Sequence, residues 1–170
     1  MGKYITKSAK QTQKMGEELA KEILVLRQAQ AKNKSAVVFG LQGNLGGGKT
    51  TFLQGFAKGL GIKEKILSPT FVILKRFKIT GYGIQNIESR INSKVKIQNS
   101  KFTDFYHIDC YRLENAKEIL GLDFKEIISD PKNIVAIEWP EKIKRVLPKD
   151  TIFIKFKFIK EKIREINFKI

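Results

Sequence analysis

The sequence predicts one α/β domain, a mixed and mostly parallel sheet flanked by helices. Three observations predict it. Short apolar runs of strand length, rich in β-branched residues, recur along the chain. Segments with apolar residues at helical spacing lie between them. Near the C-terminus two stretches alternate apolar and basic residues, a strand pattern that makes the sheet mixed. Strands interleaved with helices bury both sheet faces.

Taken in order, Ser8 is placed to cap a helix on which Met15, Leu19, Ile23 and Leu26 share a face. The pattern fades near Lys32-Asn33-Lys34. Ala36-Val37-Val38-Phe39-Gly40-Leu41 reads as a buried strand running into a glycine-rich loop. The next helix carries Phe52, Phe56 and Leu60 on one side, with Gly59 and Gly61 as stops. Ser68-Pro69-Thr70 interrupts the chain, and Phe71 to Leu74 reads as a strand. From about 78 to 101 the residues are polar and lysine-rich, with Gly81 and Gly83, and read as a basic insertion within a domain spanning 1–170. Phe105 to Asp109 and Ile134 to Glu138 read as strands, the second ended by Trp139-Pro140. Between them, Asn115 to Asp130 looks helical in two pieces broken near Gly121. Thr151 to Ile159 and Lys162 to Ile170 read as two edge strands joined by a tight turn.

Composition narrows the classes. A chain of 170 residues, 42% hydrophobic, supports one core and not two. It has no apolar run of about 18 residues, so no membrane span is expected. Met1 to Ile5 lacks the apolar core of a signal peptide. Cys110 is the single cysteine, which excludes an internal disulfide and a cysteine metal site and suits a reducing cytoplasm. The net charge of +16 would attract RNA, DNA or an acidic protein surface. Only six of the 33 basic residues are arginine, and lysine, isoleucine, asparagine and phenylalanine share A/T-rich codons. The charge therefore reads first as a lysine-rich solvated surface and second as a nucleic-acid contact.

Gly43-x-x-x-x-Gly48-Lys49-Thr50 matches the P-loop pattern in full. Glycines let the backbone turn tightly and bring its N–H groups onto phosphate oxygens. The helix that follows adds its free N–H groups and positive dipole end. A lysine at position 49 reaches the β- and γ-phosphates, and a hydroxyl at position 50 ligates Mg²⁺. Such a site also needs a carboxylate at a neighbouring strand end. Two strands qualify, one ending in Asp109 and the other in Glu138, and the sequence does not rank them. His107, the single histidine, reads as a strand residue packed in or beside the sheet. Trp139 suits a partner contact or the core, Arg112 an ion pair or a phosphate, and Cys110 the core.

Four ordered motifs then converge: Gly43 to Phe52, Ser68-Pro69-Thr70-Phe71, His107 to Leu113, and Ile137-Glu138-Trp139-Pro140-Glu141. Together they resemble the TsaE family, also called YjeE, P-loop ATPases needed to make threonylcarbamoyladenosine in tRNA. The resemblance covers nearly the whole chain outside 78–101. It implies a P-loop NTPase-like fold with ATP and Mg²⁺ as ligands. Gly46, Gly47, Gly48, Lys49, Thr50 and Thr51 would wrap the phosphates, and Thr50 and Glu138 would hold or position the metal. Asp109 would support the metal or the attacking water. Thr70 would lie in a γ-phosphate switch, Glu141 close to the nucleotide, and Thr12 beside the adenine. The resemblance further implies weak hydrolysis alone, stimulation by the partners TsaD and TsaB, and tRNA contact indirectly or through the basic surface. Two departures stand out: Asn44, where the family often has an acid, and the long 78–101 stretch.

Two other readings remain. A small P-loop kinase would need a lid that brings arginines to the phosphates, and the arginines here are scattered. An RNA-binding module suits the charge but lacks an RNA-binding motif.

Overall fold

The computed structural model describes residues 2–29, 34–67, 72–80 and 102–169. The chain opens with strand β1 (Gly2–Thr6) and helix α1 (Ala9–Ala29). Ser8 starts that helix, its Oγ accepting from the Gln11 N–H at 3.2 Å. Strand β2 (Val37–Gln42) leads through the glycine-rich loop into helix α2 (Lys49–Gly59). Gly61, at φ 78°, follows the C-terminal end of that helix. Strands β3 (Leu74–Lys78) and β4 (Asp104–Asp109) precede two short helices, α3 (Lys117–Leu120) and α4 (Phe124–Ser129). Strand β5 (Asn133–Glu138), a kinked 3-10 segment (Pro140–Val146), β6 (Ile152–Lys160) and β7 (Ile163–Phe168) complete the order.

These strands form one sheet in the order β1-β7-β6-β2-β5-β4-β3. The centre, β6-β2-β5-β4, is parallel, and both flanks are antiparallel. Alternation sorts the side chains. Val37, Phe39 and Leu41 of β2 and Ile134 and Ala136 of β5 pack with α1 and α2. Val38, Val135 and Ile137 pack with α3, α4 and the 3-10 segment. Both faces are covered, which is why the central strands read as unbroken apolar runs. Burial of each large apolar side chain in these two layers contributes about 1.5–3 kcal/mol. Among the described residues no helix is long and apolar enough to cross a membrane.

The expected mixed α/β architecture is the one observed, with three differences. The stretches 151–159 and 162–170 are not edge strands: β6 lies between β2 and β7, and β7 between β6 and β1. The edge belongs to β1, which the sequence reading did not identify. Lys3, Tyr4 and Ile5 are all exposed, so no alternation marks this strand, and it exists through backbone pairing with β7. The strand expected at 71–74 begins at Leu74 and runs through Lys75, Arg76 and Lys78. There Asp104 accepts from Arg76 at 2.7 Å and pairs with Lys78 at 2.9 Å. The Arg76 hydrogen bond holds the Asp104 carboxyl well below its ordinary range. Residues 81–101 of the expected insertion, and Ser68-Pro69-Thr70-Phe71, lie outside the described residues.

α1 and α2 touch backbone to backbone. A Cβ on Gly16 would strike the Phe52 carbonyl oxygen, and one on Gly55 the Gln13 carbonyl oxygen. This contact sets the position of the α2 N-terminus over the sheet. In Gly55→Ala, helix propensity would gain about 1 kcal/mol, but overpacking against a backbone carbonyl costs about 1–3 kcal/mol. The clash should win, lowering the urea midpoint of Gly55→Ala. Gly121→Ala, whose nearest atom would be the Glu118 oxygen at 3.6 Å, should stay within about 0.5 kcal/mol of the wild type. A raised midpoint for Gly55→Ala would mean the helices stand further apart.

Candidate functional site

The loop between β2 and α2 turns through left-handed positions at Gly46 (φ 71°) and Gly48 (φ 99°), which favour glycine. Gly48 occupies the N-cap of α2, and no side-chain cap hydrogen bond closes its N-terminus. No acid stands in that turn either. The helix therefore directs its uncapped N-terminus and positive end to the loop, a geometry suited to an anion.

Lys49 is 4% exposed. Its ammonium donates to the Gly43 carbonyl at 2.7 Å and to the Asn44 carbonyl at 3.2 Å. It also lies 4.3 Å from the centre of the Trp139 ring. Burial pushes the Lys49 pKa down, and the charges of Glu138, Asp109 and Glu141 oppose that shift.

β4 and β5 pair in parallel with Asp109 beside Glu138. Both candidate acids thus end their strands at the same level, under the loop. Their contacts differ. Glu138 is buried, and its Oε1 accepts the Thr50 hydroxyl at 2.9 Å and faces His107 Nε2 at 3.0 Å. Asp109 is half-buried, and its Oδ1 accepts the Tyr111 N–H at 3.0 Å. Next to Glu138, Trp139 adopts φ 59°, a left-handed conformation costly for a bulky residue. Its N–H points to the Leu41 carbonyl at 3.3 Å, and its ring lies 5.1 Å from that of Tyr111.

These groups line one cavity of about 580 Å³. It gathers Thr12, Gly46, Gly47, Gly48, Lys49, Thr50, Thr51, Asp109 and Glu138 from the sequence-predicted set. The Thr12 hydroxyl is buried and already engaged, 2.8 Å from Thr6 Oγ1 and 3.2 Å from the Ser8 carbonyl. Glu141 is exposed at the start of the 3-10 segment and does not line the cavity, although its charge acts on Lys49. Thr70 lies outside the described residues.

The cavity also contains residues that sequence reasoning passed over. Arg164 reaches from β7 and donates through Nε to the Gly46 carbonyl at 3.0 Å and through Nη1 to the Glu161 carbonyl at 2.6 Å. Its guanidinium lies 4.6 Å from the Phe158 ring centre. Glu161 and Lys162 form the adjoining wall. Residues 46 and 164 are far apart in the chain, and no local pattern links them.

A family model for the threonylcarbamoyl adenosine biosynthesis protein TsaE matches residues 6–166. The chain belongs to the TsaE family. It is 36% identical over 135 residues to the tRNA threonylcarbamoyladenosine biosynthesis protein TsaE of Bacillus subtilis, covering 79% of this chain and 70% of that one. It is 37% identical over 123 residues to the TsaE of Borreliella burgdorferi, covering 72% of this chain and 74% of the relative. The crystal structure of YdiB from Bacillus subtilis superposes with a TM-score of 0.59 at 26% identity. That likeness covers 98% of this chain and 83% of YdiB, and supports the P-loop NTPase-like fold. The matched segment of the TsaE model includes Arg164 and the β6–β7 turn.

Cys110, fully buried beside Asp109, is a core residue as its small apolar character suggested. Burial pushes its thiol up to about 12, with the Asp109 and Glu141 charges adding to the shift. Only the thiolate reacts quickly with alkylating agents. The native chain should therefore resist iodoacetamide at pH 8 over hours and react promptly in urea, as followed by intact mass. Rapid labelling of the native chain would show that this strand end opens.

Proposed function

We propose that this chain binds ATP with Mg²⁺ at the glycine-rich loop and hydrolyses it as an accessory to formation of the threonylcarbamoyl group on tRNA adenosine next to the anticodon. It acts with TsaD and TsaB in the cytoplasm, and meets tRNA indirectly or through its basic surface. The observation that carries the reading is the Thr50–Glu138 hydrogen bond at 2.9 Å. It joins the helix behind the loop to a strand-end carboxylate, the two places from which this chemistry draws its oxygen ligands.

Donor chemistry supports the metal. Thr50, Glu138 and Asp109 offer hard oxygens on one cavity wall. Among the described residues no group of three or more His, Cys, Asp and Glu side chains could hold an ion alone. That suits Mg²⁺, which prefers one or two protein ligands plus phosphate and water. When bound it would neutralise phosphate charge.

The chain's own groups then take distinct parts. The N–H groups of Gly46 to Thr51 cradle the phosphates, and Lys49 supplies a buried cation to the β- and γ-oxygens. Thr50 and Glu138 hold the metal side. Asp109, one strand over, supports the metal or orients the attacking water. Thr12 closes the base side of the cavity. Glu141 acts through its charge close to the nucleotide, and Thr70 belongs to a segment that senses the γ-phosphate. The 78–101 stretch is a basic insertion within a domain that spans 1–170.

Hydrolysis should be slow for the chain alone, rise with purified TsaD and TsaB, and fall at least 100-fold in Lys49→Ala and Glu138→Ala. Phosphate release with and without the pair measures this. No stimulation by a pair shown to be active, or unchanged turnover in Lys49→Ala, would overturn the assignment.

A further inference from the structure

His107 is the chain's single histidine and is fully buried. Its Nε2 lies 3.0 Å from Glu138 Oε1. An ionised carboxylate only accepts hydrogen bonds, so Nε2 carries the hydrogen and the ring donates. The same Oε1 accepts the Thr50 hydroxyl. Two donors therefore converge on one oxygen, and no described hydrogen bond falls on Oε2. The other ring nitrogen, Nδ1, is buried without a partner. A phenyl ring would fill a strand position of this kind without leaving a desolvated nitrogen. The imidazole is distinguished from such a filler by its single bond to Glu138.

We infer that His107 is a positioning residue for Glu138: its Nε2–H holds Oε1 in place and so turns Oε2 toward the cavity. This rests on the proposed Mg²⁺–ATP reading, in which Glu138 would hold the metal side. Thr50 can serve both partners, because a hydroxyl donates one hydrogen and keeps lone pairs for an ion. Without the His107 bond, Glu138 would be held by one donor that also has to ligate the metal. Alternation along β4 and β5 places His107, Asp109 and Glu138 on the sheet face that α2 covers. The bond from His107 to Glu138 therefore runs diagonally across a register that already sets the acids level.

The test uses the full chain, with ADP binding followed by calorimetry in EDTA and across a Mg²⁺ titration. His107→Leu removes the donor, while His107→Gln offers an amide N–H near the Nε2 position. Expected for His107→Leu is unchanged ADP affinity in EDTA and a 10- to 100-fold higher Mg²⁺ requirement. His107→Gln should return to within a few-fold of the wild type. A second measurement needs no variant: with one histidine, ring nitrogen NMR is unambiguous. The Nε2–H signal should be present and should move when Mg²⁺ is added to the ADP complex. Normal Mg²⁺ dependence in His107→Leu, a Gln variant as impaired as Leu, or a hydrogen residing on Nδ1 would each overturn this inference alone. A wild-type chain whose nucleotide binding ignores Mg²⁺ would overturn the proposed function and the inference with it.

Discussion

The parallel register of β2, β5 and β4 sets Leu41, Glu138 and Asp109 in one row across the sheet. That row is the constraint on which the site depends. β2 must end where the glycine-rich loop begins, and the two acids must end level with it. A slip of one residue in β5 would turn Glu138 to the opposite face of the sheet and break its bond to Thr50. Backbone bonds beyond the ladder reinforce the register: Cys110 N–H donates to the Glu138 carbonyl at 3.0 Å, and Asp109 N–H to the Ile73 carbonyl at 2.9 Å.

The helices provide the second half of the arrangement. α2 carries Lys49 and Thr50 at its first turn, so its height above the sheet decides whether Thr50 meets Glu138. The glycine contacts with α1 remove side-chain thickness between the two helices and let them approach closely. Below them, edge-on, stacked and tilted contacts among Phe39, Phe52, Phe56 and Phe105 fill the space against the sheet. Packing at the back of α2 and hydrogen bonding at its front therefore act on the same rigid body.

Electrostatics at the cavity run against the bulk of the molecule. The chain carries +16 overall, yet the charges of three acids act on the buried Lys49 and oppose, without cancelling, the effect of its burial. The surrounding positive field favours polyphosphate approach, while the local acids suit a metal ion. The β6–β7 hairpin adds a further cation, Arg164, fastened to the loop carbonyl of Gly46. The hairpin is thus part of the cavity as well as part of the sheet.

Several features were legible along the chain because their cause is local. The glycine spacing, the lysine and the hydroxyl lie within eight residues, and backbone conformation alone dictates them. The central strands announced themselves through burial on both faces, and the helices through their period. The strand-end acids were visible as a pair. What separated them was tertiary: Thr50 bonds Glu138, and Asp109 takes a backbone N–H. His107 looked like a buried strand residue, and it is one, but its bond to Glu138 arises only from adjacent strands. The edge strand β1 had no pattern to read, because pairing with β7 makes it a strand while Lys3, Tyr4 and Ile5 in succession are exposed. Arg164 shared no local motif with the loop it touches. The sequence by itself determined the glycine-rich loop and the kinds of element around it, since those follow from neighbouring residues. Only the tertiary structure decided which distant side chains complete the site, because strand register and helix packing act between segments far apart in the chain.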